Sequence, residues 1–300
     1  MINFTSLLDS IISLLPSIAI FALMFSMGIG LVVQDFLYVV RKPKAALLGL
    51  TGQIVLLPVV GALIAIAFRL DPHVAVGLMI IAACPGGATS NAFSVLVKGD
   101  IALSISLTAM SSLLAFITLP IIVNASLGFF EYGDGTVSLS FIDTAVQLFL
   151  TTALPVMLGM LCRIFLPKFA SYVGKPLFYF GFMCLLYPMI SFFKNFSGII
   201  DHSDILQSTS AIVLNVSMML IGAGLGALFG LSKRQSKTLA VEVGIQNFAL
   251  VMVVIIVFLN DLKLIAPSIF YLPSMYITAF ALSYLSRKYM DEKPEQLESE

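Results

Sequence analysis

The segment Val241-Glu242-Val243-Gly244-Ile245-Gln246-Asn247 sets a carboxylate, a glycine and two amides inside an apolar stretch. A charged side chain at the centre of a bilayer helix is disfavoured by about 2.5–3.5 kcal/mol on insertion scales, so an acid retained there is a candidate functional group. Two uses are open to Glu242: gathering a cation together with neighbouring oxygens, or staying protonated and hydrogen-bonded to a neighbour for packing. A second segment, Ala83-Cys84-Pro85-Gly86-Gly87-Ala88-Thr89-Ser90-Asn91, loses a backbone donor at Pro85 and gains flexibility at two glycines. A helix should break there. The freed N–H and C=O groups cost several kcal/mol each in hydrocarbon, so this backbone must face protein, ions or water. It is a cavity candidate, or a kink that neighbouring hydroxyls fill. Ser104 and Thr108, four residues apart, put two hydroxyls on one helix face. Hydroxyls so spaced can face a cation or bond back to their own helix.

Catalysis finds less support. His73 and His202 fall in short connections, which removes the usual general base from the apolar interior, and no nucleophile–base pair lies within it. Cys84, Cys162 and Cys184 sit in apolar segments without CxxC spacing, which signals neither a zinc site nor a disulfide framework. We expect no enzyme and no cofactor.

The elements that carry these groups are membrane helices. Only 11% of the 300 residues are Asp, Glu, Lys or Arg and 59% are apolar, too little charge to coat a water-soluble chain of this length. Mean hydropathy is +1.05, and apolar runs of about 20 residues recur, each able to cross about 30 Å of hydrocarbon. Net charge is zero and no basic stripe exists, which excludes nucleic-acid binding. The first apolar run follows no Lys/Arg-rich leader and outlasts a signal peptide, so it is expected to be a retained helix.

Cutting at charges and at Pro/Gly/Asn clusters predicts nine spans, roughly 12–34, 44–68, 72–97, 101–124, 140–164, 171–194, 207–230, 236–260 and 263–286. With alternating loops, 13 Lys/Arg fall on one side and 3 on the other, out of 16. Such a bias places the N-terminus outside and the C-terminus in the cytoplasm. The outer loops carry Asp71, Glu131, Asp134, Asp201, Asp204 and Asp261, a mildly acidic face that can gather cations or simply be solvated. Residues 1–286 form a single polytopic domain, and residues 287–300 a short cytoplasmic tail.

The two interruptions are third in the units of spans 1–4 and 6–9, at similar distances from each unit's start, and the units run in opposite directions. Paired breaks in inverted repeats are the best sequence pointer to a transporter's midplane site.

At these residues the chain resembles the bile acid:sodium symporter family: CPGGATSN in the third span, LSISLTAMSS at 103–112 in the fourth and EVGIQN in the eighth occur in its order and spacing. The likeness covers about residues 20–285. It implies an all-α integral membrane fold of nine transmembrane helices, as in the family's nine-span members. The two inverted repeats, spans 1–4 and 6–9, would each carry one of two broken, crossing helices. A core of spans 2–4 and 7–9 would move against a panel of spans 1, 5 and 6.

The resemblance implies one sodium site from Ser90, Asn91, Ser104, Thr108 and Glu242. A second would come from Gln53, Glu242, Gln246 and the carbonyls of Val243 and Ile245. All these groups offer the hard oxygen ligands that an alkali cation takes. It further implies substrate contacts at Gly86, Gly87, Ala88, Thr89 and Asn247. Where many bacterial relatives have Thr then Ala after the two glycines, this chain has Ala88 then Thr89. Where some relatives place a His-Asn pair in the last span, it has Met275-Tyr276.

The function implied is sodium-coupled import of a small organic anion, bile acid-like, keto acid or vitamin-precursor carboxylate, across the cell's inner membrane. Two Na⁺ are the coupling ions, and no obligate protein partner is expected. The alternative is a proton-driven or metalloid exporter of the same fold group, with Cys84 as a soft ligand.

Overall fold

The computed structural model describes residues 18–32, 34, 37, 39, 41–133, 141–199 and 202–290, and these are helical almost throughout. Helix α1 is Ile18–Gly30, and α2 is Pro43–Ala67 with a wide π turn at Gly52–Leu56. The third expected span is two helices, α3 (Pro72–Ala83) and α4 (Ala88–Leu96). Then follow α5 (Ile101–Phe129), α6 (Ile142–Phe165), α7 (Pro167–Ile199) and α8 (His202–Leu228). The eighth expected span is also two helices, α9 (Lys233–Gly244) and α10 (Phe248–Leu259), and α11 (Leu262–Lys288) closes the series. By length and composition α2, α5, α6, α8 and α11 can each cross a membrane.

Local chemistry sets the ends. Proline begins α2, α3 and α7, where its missing N–H costs nothing. Asp100 starts α5 by accepting from the Leu103 amide at 3.1 Å, and Ser232 and Gln235 form a reciprocal capping box on α9. Left-handed residues close α2 at Arg69 and α4 at Lys98, and again α8 at Gly230 and α10 at Asn260. The π turns in α2 and α6 stand just before Pro58 and Pro155, whose rings cannot donate to or pack against the preceding turn of an ordinary helix.

Several helices run past the expected limits. Helix α7 begins at Pro167 rather than 171, α8 at His202 rather than 207, and α9 at Lys233 rather than 236. Helical geometry also continues through a wide turn at Ser286–Met290, beyond the expected tail boundary. Hydrogen-bonded turns do not stop where hydrocarbon stops, so cutting at charges shortens a helix. Expected residues 12–17 and 291–300, with Asp134 and Asp201, lie outside the described residues.

Glycine lets backbones meet, as membrane interfaces require when apolar surface alone gives little drive. A Cβ on Gly28 would stand 2.1 Å from the Val156 carbonyl oxygen, and one on Gly159 2.2 Å from that of Phe25, so α1 and α6 touch main chain to main chain. Helix α7 joins them through Ser26, whose hydroxyl donates to the Gly174 carbonyl at 2.8 Å. A Cβ on Gly222 of α8 would stand 2.6 Å from the Leu239 carbonyl oxygen of α9, and one on Gly226 2.3 Å from the Ser236 hydroxyl.

Candidate functional site

The two interruptions meet. Cys84 has extended backbone (ψ 143°), as a residue before proline must, and this ends α3. Gly87 is also extended and opens α4. On the other chain segment no proline is present: Gly244 ends α9, Ile245 is extended (φ −113°, ψ 112°), and Asn247 restarts the helix by accepting from the Leu250 amide at 3.2 Å. The unwound stretches pair as one antiparallel bridge between Gly86 and Gln246, and the Asn247 amide donates to the Pro85 carbonyl at 2.8 Å. Each break therefore supplies part of the other's missing hydrogen bonding, which makes non-helical backbone tolerable at depth.

Glu242 lies one turn before its break and is 3% exposed. The Ser104 hydroxyl donates to one carboxylate oxygen, and the Thr108 hydroxyl to the other at 2.8 Å. Asn91 Oδ1 stands 2.9 Å from the Ser104 hydroxyl and 3.1 Å from that of Thr108. Ser90 Oγ donates to the Gly87 carbonyl at 2.7 Å and lies 3.3 Å from Thr108 Oγ1. Thus Ser90, Asn91, Ser104, Thr108 and Glu242 come together from α4, α5 and α9.

This cluster is short of hydrogens. With the Ser90 hydrogen on Gly87, five close oxygen–oxygen contacts share the two hydroxyl hydrogens of Ser104 and Thr108. Oxygens crowded with so few hydrogens are held together by a proton on Glu242 or by a cation between them. The gap for a cation is beside Gly86, where a Cβ would stand 2.9 Å from Glu242 Oε2, 3.4 Å from Ser90 Oγ and 3.6 Å from Thr108 Oγ1. Hydroxyl, amide and carboxylate oxygens are the donor set of a hard cation.

A second group gathers around Gln53, carried into the core on the π turn of α2. Its Nε2 donates to Gln246 Oε1 at 2.6 Å and to the Cys84 carbonyl at 2.9 Å. Gln246 Nε2 donates to the Val243 carbonyl at 2.8 Å. Gln53 Oε1 is buried and has no hydrogen-bond donor, the kind of orphan that native structures rarely leave without water or an ion. Both carboxylate oxygens of Glu242 turn to the first cluster, so the hydrogen bonds among Gln53, Gln246 and Val243 do not include it. The Ile245 amide is held by Val241 at 2.9 Å.

The expected substrate positions divide. Gly86 faces the Glu242 cluster, whereas Gly87 packs on Asn247, whose Cα, Cβ and Cγ would lie 3.3–3.5 Å from an added Cβ. Asn247 is almost buried, and Thr89 is half-buried in the first turn of α4. That turn starts at Ala88, and its Ser90 amide donates to the Gly87 carbonyl at 3.0 Å. Met275 is buried, and the Tyr276 ring lies 5.7 Å from that of Phe93.

Sequence reasoning missed Asn215 and Tyr271. Asn215 is fully buried in α8, and its Nδ2 donates to the Gly244 carbonyl at 2.7 Å. The Tyr271 hydroxyl donates to the same carbonyl at 3.0 Å. An amide in the apolar run around Leu214-Asn215-Val216 was the available signal.

Comparison with known proteins gives the same direction. The model of the sodium bile acid symporter family matches residues 17–202. The chain is 27% identical over 237 residues to the uncharacterized sodium-dependent transporter YocS of Bacillus subtilis, covering 76% of this chain and 69% of that protein. It is 31% identical over 236 residues to sodium/bile acid cotransporter 4 of Homo sapiens, covering 76% and 52%. To the probable sodium/metabolite cotransporter BASS2, chloroplastic, of Oryza sativa it is 26% identical over 228 residues, covering 76% and 53%. The aligned part thus spans about half the length of the human and rice relatives.

Proposed function

Because this chain belongs to the sodium bile acid symporter family, we propose that it is a sodium-coupled importer of a small organic anion, working by alternating access. The observation that carries the proposal is the buried, hydrogen-poor oxygen cluster around Glu242, opening on the space beside Gly86. One Na⁺ sits there on Ser90, Asn91, Ser104, Thr108 and Glu242. A second sits at Gln53 Oε1, with Gln246 and the Val243 and Ile245 carbonyls, and Glu242 serves it by charge. The names of the relatives, sodium-dependent transporters and sodium/bile acid cotransporters, support this reading.

The charges favour an anion as passenger. Two Na⁺ against one carboxylate leave the site with one positive charge, and a substrate carboxylate brings it to zero, which matters because uncompensated charge at this depth is costly. The substrate carboxylate lies at the first turn of α4, against Gly87, Ala88, Thr89 and Asn247. Gly86, whose missing side chain borders the cation, contributes backbone to both. One net positive charge enters per cycle. The membrane potential supplies about 2.3 kcal/mol per 100 mV for it, and each ion adds about 1.4 kcal/mol per tenfold sodium gradient.

In this reading the nine passages form two inverted units, which accords with the left-handed closures at Arg69 and Lys98 and again at Gly230 and Asn260. The close-packed α1, α6 and α7 act as the panel, and the helices around the crossing as the moving core. The N-terminus is outside and the C-terminus in the cytoplasm of an inner-membrane protein. The test is uptake of candidate carboxylates into proteoliposomes under an inward sodium gradient. Glu242→Ala is expected to abolish sodium stimulation; wild-type-like stimulation in that variant rejects the assignment.

A further inference from the structure

At each break a carbonyl at the end of the first half-helix, that of the capping Cys84 or of the terminal Gly244, is taken by a side-chain amide from the preceding membrane helix. Gln53 of α2 donates to Cys84, 31 residues away, and Asn215 of α8 donates to Gly244, 29 residues away. The two amides then differ. The oxygen of Gln53 has no donor, whereas Asn215 Oδ1 lies 2.8 Å from the Thr278 hydroxyl of α11. That hydroxyl also reaches the Ser274 carbonyl at 2.8 Å and the Met275 carbonyl at 3.2 Å, so its one hydrogen is shared. The Gly244 carbonyl, which only accepts, settles which way Asn215 points: nitrogen towards Gly244, and so oxygen towards Thr278.

The Gly244–Ile245 peptide is consequently pinned at both ends. Its carbonyl accepts from Asn215 Nδ2 and from Tyr271, and its amide donates to Val241 at 2.9 Å. A peptide is planar with C=O and N–H opposed, so holding both leaves it no rotation. The peptides on either side carry the Val243 and Ile245 carbonyls assigned above to the second sodium ion.

We infer that Asn215 and Tyr271 are positioning residues for that ion: with Thr278 orienting Asn215, they hold the Gly244–Ile245 peptide so that the neighbouring carbonyls face the cation. Neither touches the ion. Without them the Gly244 carbonyl, buried and undonated, turns in search of a partner and carries the flanking carbonyls with it. This inference rests on the sodium reading of the site.

The experiment is the thermal stability of the purified full-length chain against sodium concentration, with choline chloride holding ionic strength constant. The variants are Asn215→Leu, Tyr271→Phe and Thr278→Val. One hydrogen bond to a carbonyl contributes enough to move the sodium midpoint by roughly twofold to tenfold. Tyr271→Phe, which leaves Asn215 in place, is expected near the low end, and Asn215→Leu near the high end with a shallower sodium dependence. Thr278→Val is expected to shift it in the same direction. A purely structural role lowers the sodium-free melting temperature and leaves the sodium midpoint unchanged; that result in Tyr271→Phe and Thr278→Val overturns the inference even if Asn215→Leu does not fold. A wild-type chain that sodium does not stabilise sinks the sodium reading itself, and this inference with it.

Discussion

Replacing Gly86 with alanine tests the first cation position without removing a single ligand. The new methyl carbon would sit 2.9 Å from Glu242 Oε2, 3.4 Å from Ser90 Oγ and 3.6 Å from Thr108 Oγ1, in the middle of the oxygen cluster. Gly86 is not among the residues with positive φ, so alanine meets no conformational penalty there, and its effect is on space alone. The carboxylate can retreat by a few tenths of an ångström, but a methyl and a desolvated cation cannot occupy one gap. The expected outcome is loss of one of two ions. At a sodium concentration of 100 times its dissociation constant, one bound ion stabilises the folded chain by about 2.7 kcal/mol, and that increment should vanish. Thermal unfolding across a sodium titration at constant ionic strength measures it, and the Hill coefficient for sodium in uptake should fall from about two to about one. Gly87→Ala is the contrast. Its methyl would press on Asn247, 3.3–3.5 Å away, and should weaken carboxylate binding while sparing sodium. A Gly86→Ala chain with unchanged sodium midpoint and steepness would refute the placement of the ion.

Two further outcomes follow from other parts of the molecule. Gln53→Leu removes both the orphaned oxygen and the donor to Cys84. It should eliminate the second ion and leave a single-ion sodium dependence, read by the same titration; two-ion behaviour in this variant would contradict the second site. Just past the end of α5, the Tyr132 hydroxyl donates to Asp261, and burial first, then the adjacent carboxylate, holds the phenol above its ordinary value of 10. A raised phenol stabilises the fold fully below the unfolded value and loses that contribution as pH climbs from there towards the folded one. Wild type should therefore lose melting temperature above about pH 10 more steeply than Tyr132→Phe, and parallel curves would show that the contact contributes nothing.

The site was legible to different depths for physical reasons. Pro85 with two glycines, and Glu242 beside Gly244, announce themselves because each violates what hydrocarbon permits, and such violations need no partner to be seen. What supports them was harder to read. Gln53 was reached through the family likeness, and nothing local marks the π turn that carries it inward except Pro58. Asn215 and Tyr271 act on Gly244 across 29 and 27 residues, a separation at which sequence spacing says nothing about contact. Helix limits erred for another reason. Lys233 and Arg234 look like a loop by charge, yet they begin α9, and even Lys237 in its second turn is buried. Charge marks where the bilayer ends, whereas capping by Ser232 and Gln235 marks where the helix begins.

Equilibrium binding of radioactive sodium to the purified chain probes most directly whether one buried acid organises the ions. Two ions per wild-type chain, and none per chain of Glu242→Gln, is the result expected here. Undiminished binding in Glu242→Gln would contradict the account at its root.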